Sequence, residues 1–590
     1  MKELRARASS LMKEGHWEPA AEALAELVEL SPDDVWALAS FSNVLLKLQR
    51  LPEAAATAAR VAALSPGDAV IATRALRLLL RVGDLKSALE AAERCRDLWC
   101  GDATLARLSA RALTENGRAS EALELLRGAL RRAPDLADIW HEAVKAAEAA
   151  NDRSGAFELA LEGARRHAED LRLQKLALRL ALEVADKPPD LLAMARSAVQ
   201  LAPENPSILR LAGRTCGQAG RWSEAVTHLQ KAADLTSGEL SALTALLTAS
   251  EQAKDFERAA DAAARITELQ PDDPERWRRL AEANWRARRE TASRVAFARS
   301  VALRAPDMPD DLASGLHALW RAPRSHWIRP ERLQWAYSVQ SASREGTPID
   351  REAWDRAMQW GADAHSLLVD WQEVRPERHE EMARLTDLRG LELLERPIRD
   401  RKGACLINAH LGPVFASPVA LYSHGLPFRW LNGVPSFPGG PVYERLISPR
   451  YARGRSALAQ VHATLSGGRI LLATMDLDER RPPRTPFLGQ TIWVNETAAR
   501  MIHWTGAEPL FLDGRWEGER MVFRVLPMVA PEKGESADAY LVRWTQDYLG
   551  KLTDIMTSEP ENLYCPGGLW RCIRADGGAQ EPDSGAGIDA

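Results

Sequence analysis

GHWEPAAEALAELVELSPDD (15–34) and GRASEALELLRGALRRAPDL (117–136) are two copies of one pattern, which decides the fold of the first half of the chain. In both copies a small residue follows a glycine by five positions, and a proline follows the small residue by twelve. Two antiparallel helices need a tight turn, a small residue where their backbones approach, and a stop after the second helix. Each copy therefore predicts a helical hairpin.

The hairpin pattern recurs about every 34 residues through residues 1–306. The recurring position that closes each hairpin is occupied by Pro32, Pro66, Cys100, Pro134, Ala168, Pro203, Ser237, Pro271 and Pro306. The period and the residue order resemble the tetratricopeptide repeat. One hairpin cannot cover its apolar face, so about nine of them predict an all-α superhelical solenoid with a concave groove. Lys187-Pro188-Pro189 falls where other copies have the turn, and we expect a local break there.

Solenoids of this kind bind peptides, extended segments or other domains, so we expect a protein partner in the groove. Acyl carrier protein and a cell-envelope assembly protein are the candidates. Arginines such as Arg131, Arg132, Arg165 and Arg166 are expected on solvated helix faces.

Composition restricts the class of protein. The 590 residues are 46% hydrophobic and 27% charged, with a formal charge of -5. This balance argues against a general nucleic-acid binder. The sequence shows no apolar run that predicts a membrane-spanning helix and no secretory signal. The six scattered cysteines form no paired motif, and we expect reduced thiols in a cytoplasmic protein that can sit peripherally on the inner membrane.

The repeat period ends near Pro306, and a different organisation follows. We predict a helical connector over 307–375, an α/β domain over 376–572 and a disordered tail over 573–590. The connector contains LHALWRAPRSHWIRPERLQW (316–335), in which tryptophans alternate with arginines. This composition suits a membrane interface, and it equally suits a packing surface between domains.

Strand-like and helical stretches alternate in the second half. Apolar runs at 404–410, 469–476, 507–513 and 519–529 predict strands, and windows at 453–467, 491–506 and 536–557 predict helices. This order predicts a layered α/β domain, in which active sites lie beyond the carboxyl ends of strands.

One strand end carries the most promising chemistry. INAHLGPVFASPVALYSHG (407–425) leaves its strand at His410, turns at Gly412-Pro413 and enters a predicted helix. The positive end of the helix dipole would keep the imidazole neutral and able to accept a proton. The alternative is a histidine that only caps or packs at the strand end. His424, His462 and His503 lie in helical windows and are expected to be ordinary packing or surface residues.

Several ordered segments of the second half point to one family. They are RGLELLERPIRDRKGACLINAHLGPV (389–414), a block from Gly467 to Trp516 that contains an Asp-x-Asp strand end, and PENLYCPGGLWR (560–571). On these segments, residues 376–571 resemble the bacterial lipid A late acyltransferases of the lysophospholipid acyltransferase-like superfamily. The resemblance implies transfer of a fatty acyl group from acyl carrier protein or coenzyme A to a hydroxyl of a glycolipid or saccharide. It implies His410 as the base, and it brings Asp476, Asp478, Phe487, Gly489 and Arg515 onto the family's landmarks.

The chain departs from this family at one position. The family has a carboxylate five residues after the histidine, where it orients the imidazole, and this chain has Phe415. Asp476, at the next strand end, is the candidate replacement as a catalytic carboxylate. The alternative is that Asp476 caps a helix or pairs with an arginine such as Arg515.

Arg429, Arg450 and Arg515 are candidate ligands for phosphate or carboxylate groups of the substrates, because a guanidinium matches planar anions. Surface ion pairing is the alternative for each of them. We expect no cofactor besides the acyl donor and no metal site. The sequence thus favours an acyltransferase at the cytoplasmic membrane face whose repeats recruit a partner. The alternative is a catalytically degenerate acyltransferase-like domain on a repeat scaffold that acts as an interaction or assembly factor.

Overall fold

The computed structural model describes residues 1–184, 189–324, 328, 330–344, 349–433, 439–449, 454–475, 485–492 and 494–563, without the side chains of 454, 455 and 491. The chain divides into two compact units, Met1–Ala253 and Lys254–Ala590.

The first unit consists of α-helices joined by short turns, with one additional 3-10 turn at Arg96–Leu98. In chain order they are α1 (Lys2–Glu14), α2 (Trp17–Leu30), α3 (Val35–Lys47), α4 (Leu51–Leu64), α5 (Ala69–Val82), α6 (Leu85–Arg94), α7 (Ala103–Glu115), α8 (Ala119–Arg132), α9 (Ala137–Ala149), α10 (Arg153–Arg166), α11 (Leu171–Ala181), α12 (Leu191–Leu201), α13 (Pro206–Gln218), α14 (Trp222–Leu235) and α15 (Leu240–Gln252).

The described glycine-type turns of the hairpins repeat the same backbone conformation. Gly15 and Gly117 have φ values of 81° and 79°, as the glycine positions of the pattern predict. Gln49 and Asn151 occupy the same repeat position with φ values of 59° and 58°. A residue other than glycine is strained in this left-handed region, so the helix packing on either side outweighs the local preference.

Aspartates and alanines set the helix starts and the close packing. Asp34 Oδ1 accepts hydrogen bonds from the amides of Trp36 and Ala37, both at 3.0 Å, and Asp68 and Asp102 cap helices in the same way. Such caps are worth about 1 kcal/mol each. The predicted small positions are fully buried, at Ala20, Ala54, Ala88, Ala122, Ala156 and Ala225. One buried apolar cluster runs from Ala55 to Ala212 across successive hairpins, and the first hairpins form separate clusters around Leu24 and Leu38.

The second unit begins with three more helices of the repeat pattern and continues into a mixed α and β region. Its helices are α16 (Phe256–Leu269), α17 (Pro274–Arg286), α18 (Glu290–Arg304), α19 (Leu312–Leu319), α20 (Pro330–Ser343), α21 (Arg351–Val374), α22 (His379–Arg384), α23 (Leu391–Arg399), α24 (Ser417–Ser423), α25 (Gly440–Tyr443), α26 (Gly454–Ser466), α27 (Thr497–Thr505) and α28 (Ala537–Met556). Its strands are β1 (Thr386–Arg389), β2 (Ala404–Asn408), β3 (Phe428–Leu431), β4 (Leu446–Ile447), β5 (Ile470–Thr474), β6 (Thr485–Phe487), β7 (Gln490–Ile492), β8 (Glu508–Glu517) and β9 (Arg520–Pro527).

Seven strands form one mixed sheet in the order β1-β9-β8-β2-β5-β3-β4. Strand β2 is parallel to both of its neighbours, β5 and β8, and the only antiparallel pair of this sheet in the described chain is β8 with β9. Strands β6 and β7 form a separate hairpin. The strands predicted at 404–410, 469–476, 507–513 and 519–529 are β2, β5, β8 and β9, whereas β1, β3, β4 and the hairpin were not predicted because they are short.

Apolar side chains cover both faces of the sheet. Along β2, Ala404 and Leu406 belong to one buried cluster and Cys405 and Ile407 to the other. Burial on both faces explains why the strand reads as a continuous apolar run. The predicted helical windows at 453–467 and 536–557 correspond to α26 and α28. In the window at 491–506 the helix α27 begins only at Thr497, and the first residues belong to the strand β7.

Helix α21 joins the repeat helices of this unit to the sheet. Glu373 of α21 is almost fully buried and pairs with Arg278 of α17 at 3.1 Å and with Arg304 of α18 at 2.7 Å. Asp370, one turn earlier, pairs with Arg304 at 3.0 Å and with Arg324 at 3.0 Å. Because a buried carboxylate is costly unless it is paired, these contacts hold α17, α18 and α21 as one assembly.

Candidate functional site

His410 lies two residues beyond the carboxyl end of β2, the strand between β8 and β5. The backbone continues the sheet pairing at this point, since the Met475 amide donates to the Asn408 carbonyl oxygen at 2.8 Å. The carboxyl ends of β2 and β5 therefore lie side by side. This edge is where ligands bind in parallel α/β sheets.

The loop that carries His410 is fixed by four hydrogen bonds. Asn408 Nδ2 donates to Ser417 Oγ at 3.1 Å, and Ser417 Oγ donates to the Val414 carbonyl at 2.6 Å. The Gly412 amide donates to the Asn562 carbonyl at 2.8 Å, and Gln372 Nε2 donates to the Phe415 carbonyl at 2.8 Å. Such a loop holds a side chain in one position without reorganisation.

The helix after His410 differs from the one that the sequence predicts. Pro413 does not begin an α-helix; a 3-10 turn spans Val414–Ala416, and α24 starts only at Ser417. Pro418 lacks an N–H and cannot donate to Val414, which the Ser417 hydroxyl satisfies instead. The helix predicted to follow Gly412-Pro413 therefore begins four residues later, at Ser417, and the predicted start at Pro413 was wrong.

Phe415 is buried beside the imidazole. Its ring centroid lies 5.8 Å from that of His410 and 4.8 Å from that of His365 on α21. An apolar ring thus lies beside the histidine at the position where the resemblance leads us to expect a carboxylate. An aromatic ring can restrict the orientation of an imidazole, but it cannot accept a proton or a hydrogen bond from Nδ1.

Strand β8 extends beyond β2 and forms one wall of the same edge. A methyl group on Gly412 would overlap the Gly514 carbonyl oxygen, so the loop and the strand are in close contact. Arg515 Nε contacts both oxygens of the buried Asp513, at 2.9 and 3.0 Å. Arg515 is therefore at the predicted edge, and it already has a carboxylate partner.

Phe487 and Gly489 lie in the β6–β7 hairpin. Phe487 is buried in the same apolar cluster as Leu411 and Met475, which flank the His410 loop. Leu488 and Gly489 form the two-residue turn with φ values of 48° and 79°. Gly489 thus has a conformational role, because such a turn favours positive φ.

The structure separates Arg429 from His410. Arg429 is near the amino end of β3, level with Leu471 and hence with Cys405, five residues before His410 along the strand direction. At about 3.3 Å per residue this is a separation of about 16 Å along the sheet. Arg429 Nη2 donates to Gln460 Oε1 at 2.9 Å. Burial lowers the pKa of Arg429, and the nearby Arg469 and Arg445 lower it further.

Three predicted site residues, Arg450, Asp476 and Asp478, lie outside the described residues. The same holds for the predicted break at Lys187-Pro188 and for the tail over 573–590.

Two positioning residues were not singled out from the sequence. Asn562 is buried, and its Oδ1 accepts from the Trp516 amide at 2.7 Å while its carbonyl accepts from Gly412. It connects β8 to the His410 loop, and its place in the PENLYC segment was the available signal. Gln372 lies in a buried stretch of α21 and offered no signal.

The tryptophans of the connector that the structure describes are used in packing. Trp320 stacks on Trp360 at 4.8 Å, and Trp335 Nε1 donates to the Leu488 carbonyl at 3.1 Å. The contact of Trp335 favours the packing interpretation for this residue, whereas Trp320 stacks on one side and is 43% exposed. Trp327 lies outside the described residues. Among the helices that the structure describes, none combines the length and apolar character needed to span a bilayer.

One group in the described chain has metal-ligand chemistry, in the first unit. Cys216 of α13 and Glu224 and His228 of α14 place one ligand atom each within 4.8 Å of one another. Spacing in sequence did not reveal this group, because it comes from two helices. Both oxygens of Glu224 already accept hydrogen bonds from Arg196, at 2.7 and 2.8 Å, so a metal would compete with a bidentate ion pair.

Comparison with known proteins identifies part of the chain. The family model described as tetratricopeptide repeat matches residues 5–69 and 73–137, which confirms the repeat prediction for this part of the chain. The chain is 32% identical over 302 residues to the Vi polysaccharide export protein VexE of Salmonella typhi; the match covers 50% of this chain and 46% of that protein. The chain therefore spans about half the length of this curated relative.

Solved structures of repeat proteins are also similar in part. They include MamA (11% identity, 32% of this chain, 97% of that chain, TM-score 0.27) and the repeat protein YrrB (16%, 38%, 98%, 0.24). A tetratricopeptide repeat protein from Parabacteroides merdae gives 11% identity, 42% and 98% coverage, and a TM-score of 0.28. TM-scores of this size carry no argument about this chain. Tetratricopeptide repeats generally bind protein partners.

Proposed function

We propose that the chain is an acyltransferase that acylates a hydroxyl of a glycolipid or saccharide, and that its repeats recruit a protein partner. The observation that carries the proposal is the position of His410. It lies at the carboxyl end of a central parallel strand, in a loop held by four hydrogen bonds, within the segment that resembles the lipid A late acyltransferases.

In the proposed reaction His410 acts as a general base. Its neutral imidazole takes the proton of the acceptor hydroxyl while the oxygen attacks the thioester carbonyl of the acyl donor. The tetrahedral intermediate expels the thiolate, and the imidazolium returns the proton to it. An ester and a free thiol result, so no cofactor other than the acyl-carrier donor is consumed.

The imidazolium needs a partner, and Phe415 cannot supply one. We propose Asp476 for this role, because it directly follows Met475, whose amide pairs with the β2 carbonyl at Asn408. Asp513 is a second carboxylate at this edge, but Arg515 already binds it. Asp478, Arg450, Phe487, Gly489 and Arg515 remain proposed substrate contacts.

The name of the VexE relative suggests the class of acceptor. That protein is described as a polysaccharide export protein, and on this basis we propose an acceptor linked to a polysaccharide or a glycolipid at the cytoplasmic membrane face. The partner recruited by the repeats would be an acyl carrier protein or a component of the envelope assembly machinery.

The buried Phe415 favours a second function. If no carboxylate supports His410, the domain is a binding module, and the chain serves as an interaction or assembly factor. Removing the orienting acid of a Ser-His-Asp triad lowers kcat by about 10⁴, which is the scale of the loss to be compensated.

Acyl transfer from labelled acyl carrier protein and from labelled acyl coenzyme A to an inner-membrane lipid extract separates the two functions. We expect the native chain to form a labelled lipid, and we expect Asp476→Asn to form less of it. No product with either donor would support the scaffold function. Flotation with anionic vesicles tests the membrane contact separately.

A further inference from the structure

A small open pocket lies at the carboxyl end of α21, on the side of the helix that faces α22, α24 and α25. It encloses about 280 Å³ of empty space, including its mouth. Its lining includes Trp371, Arg375, His379, Val419, Gly440 and Tyr443. The wall is mainly apolar, and none of the described lining residues is acidic.

Two nitrogen donors at this pocket lack partners within the described part of the chain. Arg375 Nε and His379 Nδ1 are both buried from solvent and make no hydrogen bond there. A buried polar group without a partner costs about 1–3 kcal/mol, more when it is charged. Two such groups on one pocket wall indicate a ligand that accepts hydrogen bonds from both.

The neighbouring acids cannot serve Arg375, because they are already paired. Glu373 is held by Arg278 and Arg304, and Glu381 is held by Arg378. Gln372, which also lines the pocket, donates to the Phe415 carbonyl. The positive charge of Arg375 is therefore not neutralised by its charged neighbours in the described structure.

Two glycines at the start of α25 also line the pocket. Gly439 and Gly440 both have positive φ, at 79° and 84°, and a methyl group on Gly440 would approach Pro376 Cβ to 3.2 Å. Glycine is the residue that adopts this conformation without strain. At these two positions the lining is backbone, and Val442 and Tyr443 of α25 contribute side chains beside it.

We propose that this pocket binds a phosphate group through Arg375 and His379. A guanidinium forms two parallel hydrogen bonds to an oxyanion, and an imidazole can donate a third to the remaining oxygen. Trp371 and Val419 would contact the apolar part of a phosphoester. The proposal concerns binding and does not depend on acyl transfer.

Equilibrium dialysis of the full chain with labelled inorganic phosphate tests the site. We expect one saturable site per chain, and at least about a tenfold weaker affinity for Arg375→Gln, because a hydrogen bond to a charged group is lost. The matched control is Arg399→Gln, which removes an exposed arginine of the same unit and is expected to leave binding unchanged.

A second experiment with vesicles distinguishes a lipid headgroup from a free phosphate or phosphoester as the ligand. Binding to phosphatidic acid vesicles but not to phosphatidylcholine vesicles, displaced by inorganic phosphate, would identify a lipid headgroup; dialysis alone would identify a free phosphate or phosphoester. His379→Gln provides an independent variant if Arg375→Gln does not fold. Equal affinities for the native chain and both folded variants would overturn the proposal, as would no saturable binding in either arm.

Discussion

His410 and its neighbours carry the chemistry proposed at the residue scale. The loop is held from three directions: Ser417 fixes its two ends, Asn562 fixes Gly412, and Gln372 fixes Phe415. Phe415 contacts the imidazole where a carboxylate would orient it. The backbone of the loop is therefore held on three sides, and Phe415 adds an apolar contact to the ring of His410.

The close approach at Gly412 predicts a specific sensitivity. Gly412 and Gly425 both have positive φ, at 57° and 66°, so alanine costs about 1–2 kcal/mol at either from backbone strain. Only at Gly412 does the added methyl group meet a carbonyl oxygen, that of Gly514. We expect Gly412→Ala to lower the melting temperature clearly more than Gly425→Ala. Equal shifts would contradict the close contact of loop and strand.

His228 predicts a pH dependence of stability. Burial lowers the pKa of His228, Arg196 acts in the same direction and Glu224 opposes both. The folded chain then keeps a neutral imidazole where the unfolded chain takes up a proton, below about pH 6.5. Stability from this residue is present above that pH and is lost as pH falls.

Denaturant unfolding between pH 8 and pH 5 measures this effect. We expect His228→Gln to reduce the loss of stability on acidification, with the exposed His16→Gln as the control for loss of an imidazole. If the unfolding free energy of His228→Gln falls with pH as steeply as that of the native chain, the ring is not held neutral.

At the scale of elements, α21 is the helix on which the second unit depends. Its amino-terminal part contacts the sheet side through Trp360, which stacks on Trp320 and meets Trp516 edge-on at 5.0 Å. Gly361 lies so close to Glu561 that no side chain fits between them. Its last turn contacts both the His410 loop and the repeat helices α17 and α18. Helix α21 thus contacts both the candidate site and the repeat helices α17 and α18.

The ion pairs of α21 predict a large and local effect. Glu373→Ala leaves Arg278 and Arg304 without their shared carboxylate, and we expect a loss of about 3–5 kcal/mol in unfolding free energy. Glu352 of the same helix is exposed and pairs only with Arg356, so Glu352→Ala should cost less than about 1 kcal/mol. Urea unfolding measures both variants, and similar losses of unfolding free energy for Glu373→Ala and Glu352→Ala would contradict the structural role of Glu373.

At the scale of the whole molecule, the repeat pattern and the compact units end at different places. The pattern continues to Pro306, whereas the second unit begins at Lys254. Arg278 and Arg304 account for the difference, because they pair with Glu373 beyond the end of the pattern. The last repeat helices are therefore part of the second unit.

This division predicts the result of truncation. We expect residues 254–590 to unfold cooperatively, and residues 307–590 to be unstable because Glu373 would be buried without its two arginines. Circular dichroism during urea unfolding compares the two fragments. A cooperative transition of equal midpoint in both would show that α16, α17 and α18 are dispensable to the unit.

The sequence predicted the features that depend on neighbouring residues and missed those that depend on long-range packing. The glycine turns, the buried alanines and the long apolar strands follow from short-range pattern, and the structure has them. The two-residue β4 and the contacts of Asn562 and Gln372 arise only from long-range packing. Arg429 looked like an anion ligand by residue type, but strand register moves it about 16 Å from His410 along the sheet. The late start of α24 depended on Pro418, five residues beyond the expected helix start at Pro413.

The central claim is that His410 is the base of an acyl transfer, and the rate of that transfer in His410→Ala tests it most directly. The control is His424→Ala, which removes the histidine at the end of α24, whose Nδ1 contacts the Ala420 carbonyl. We predict that the native chain and His424→Ala form labelled product at similar rates, and that His410→Ala is slower by about 10²–10⁴-fold. Equal rates for His410→Ala and the native chain would contradict the account.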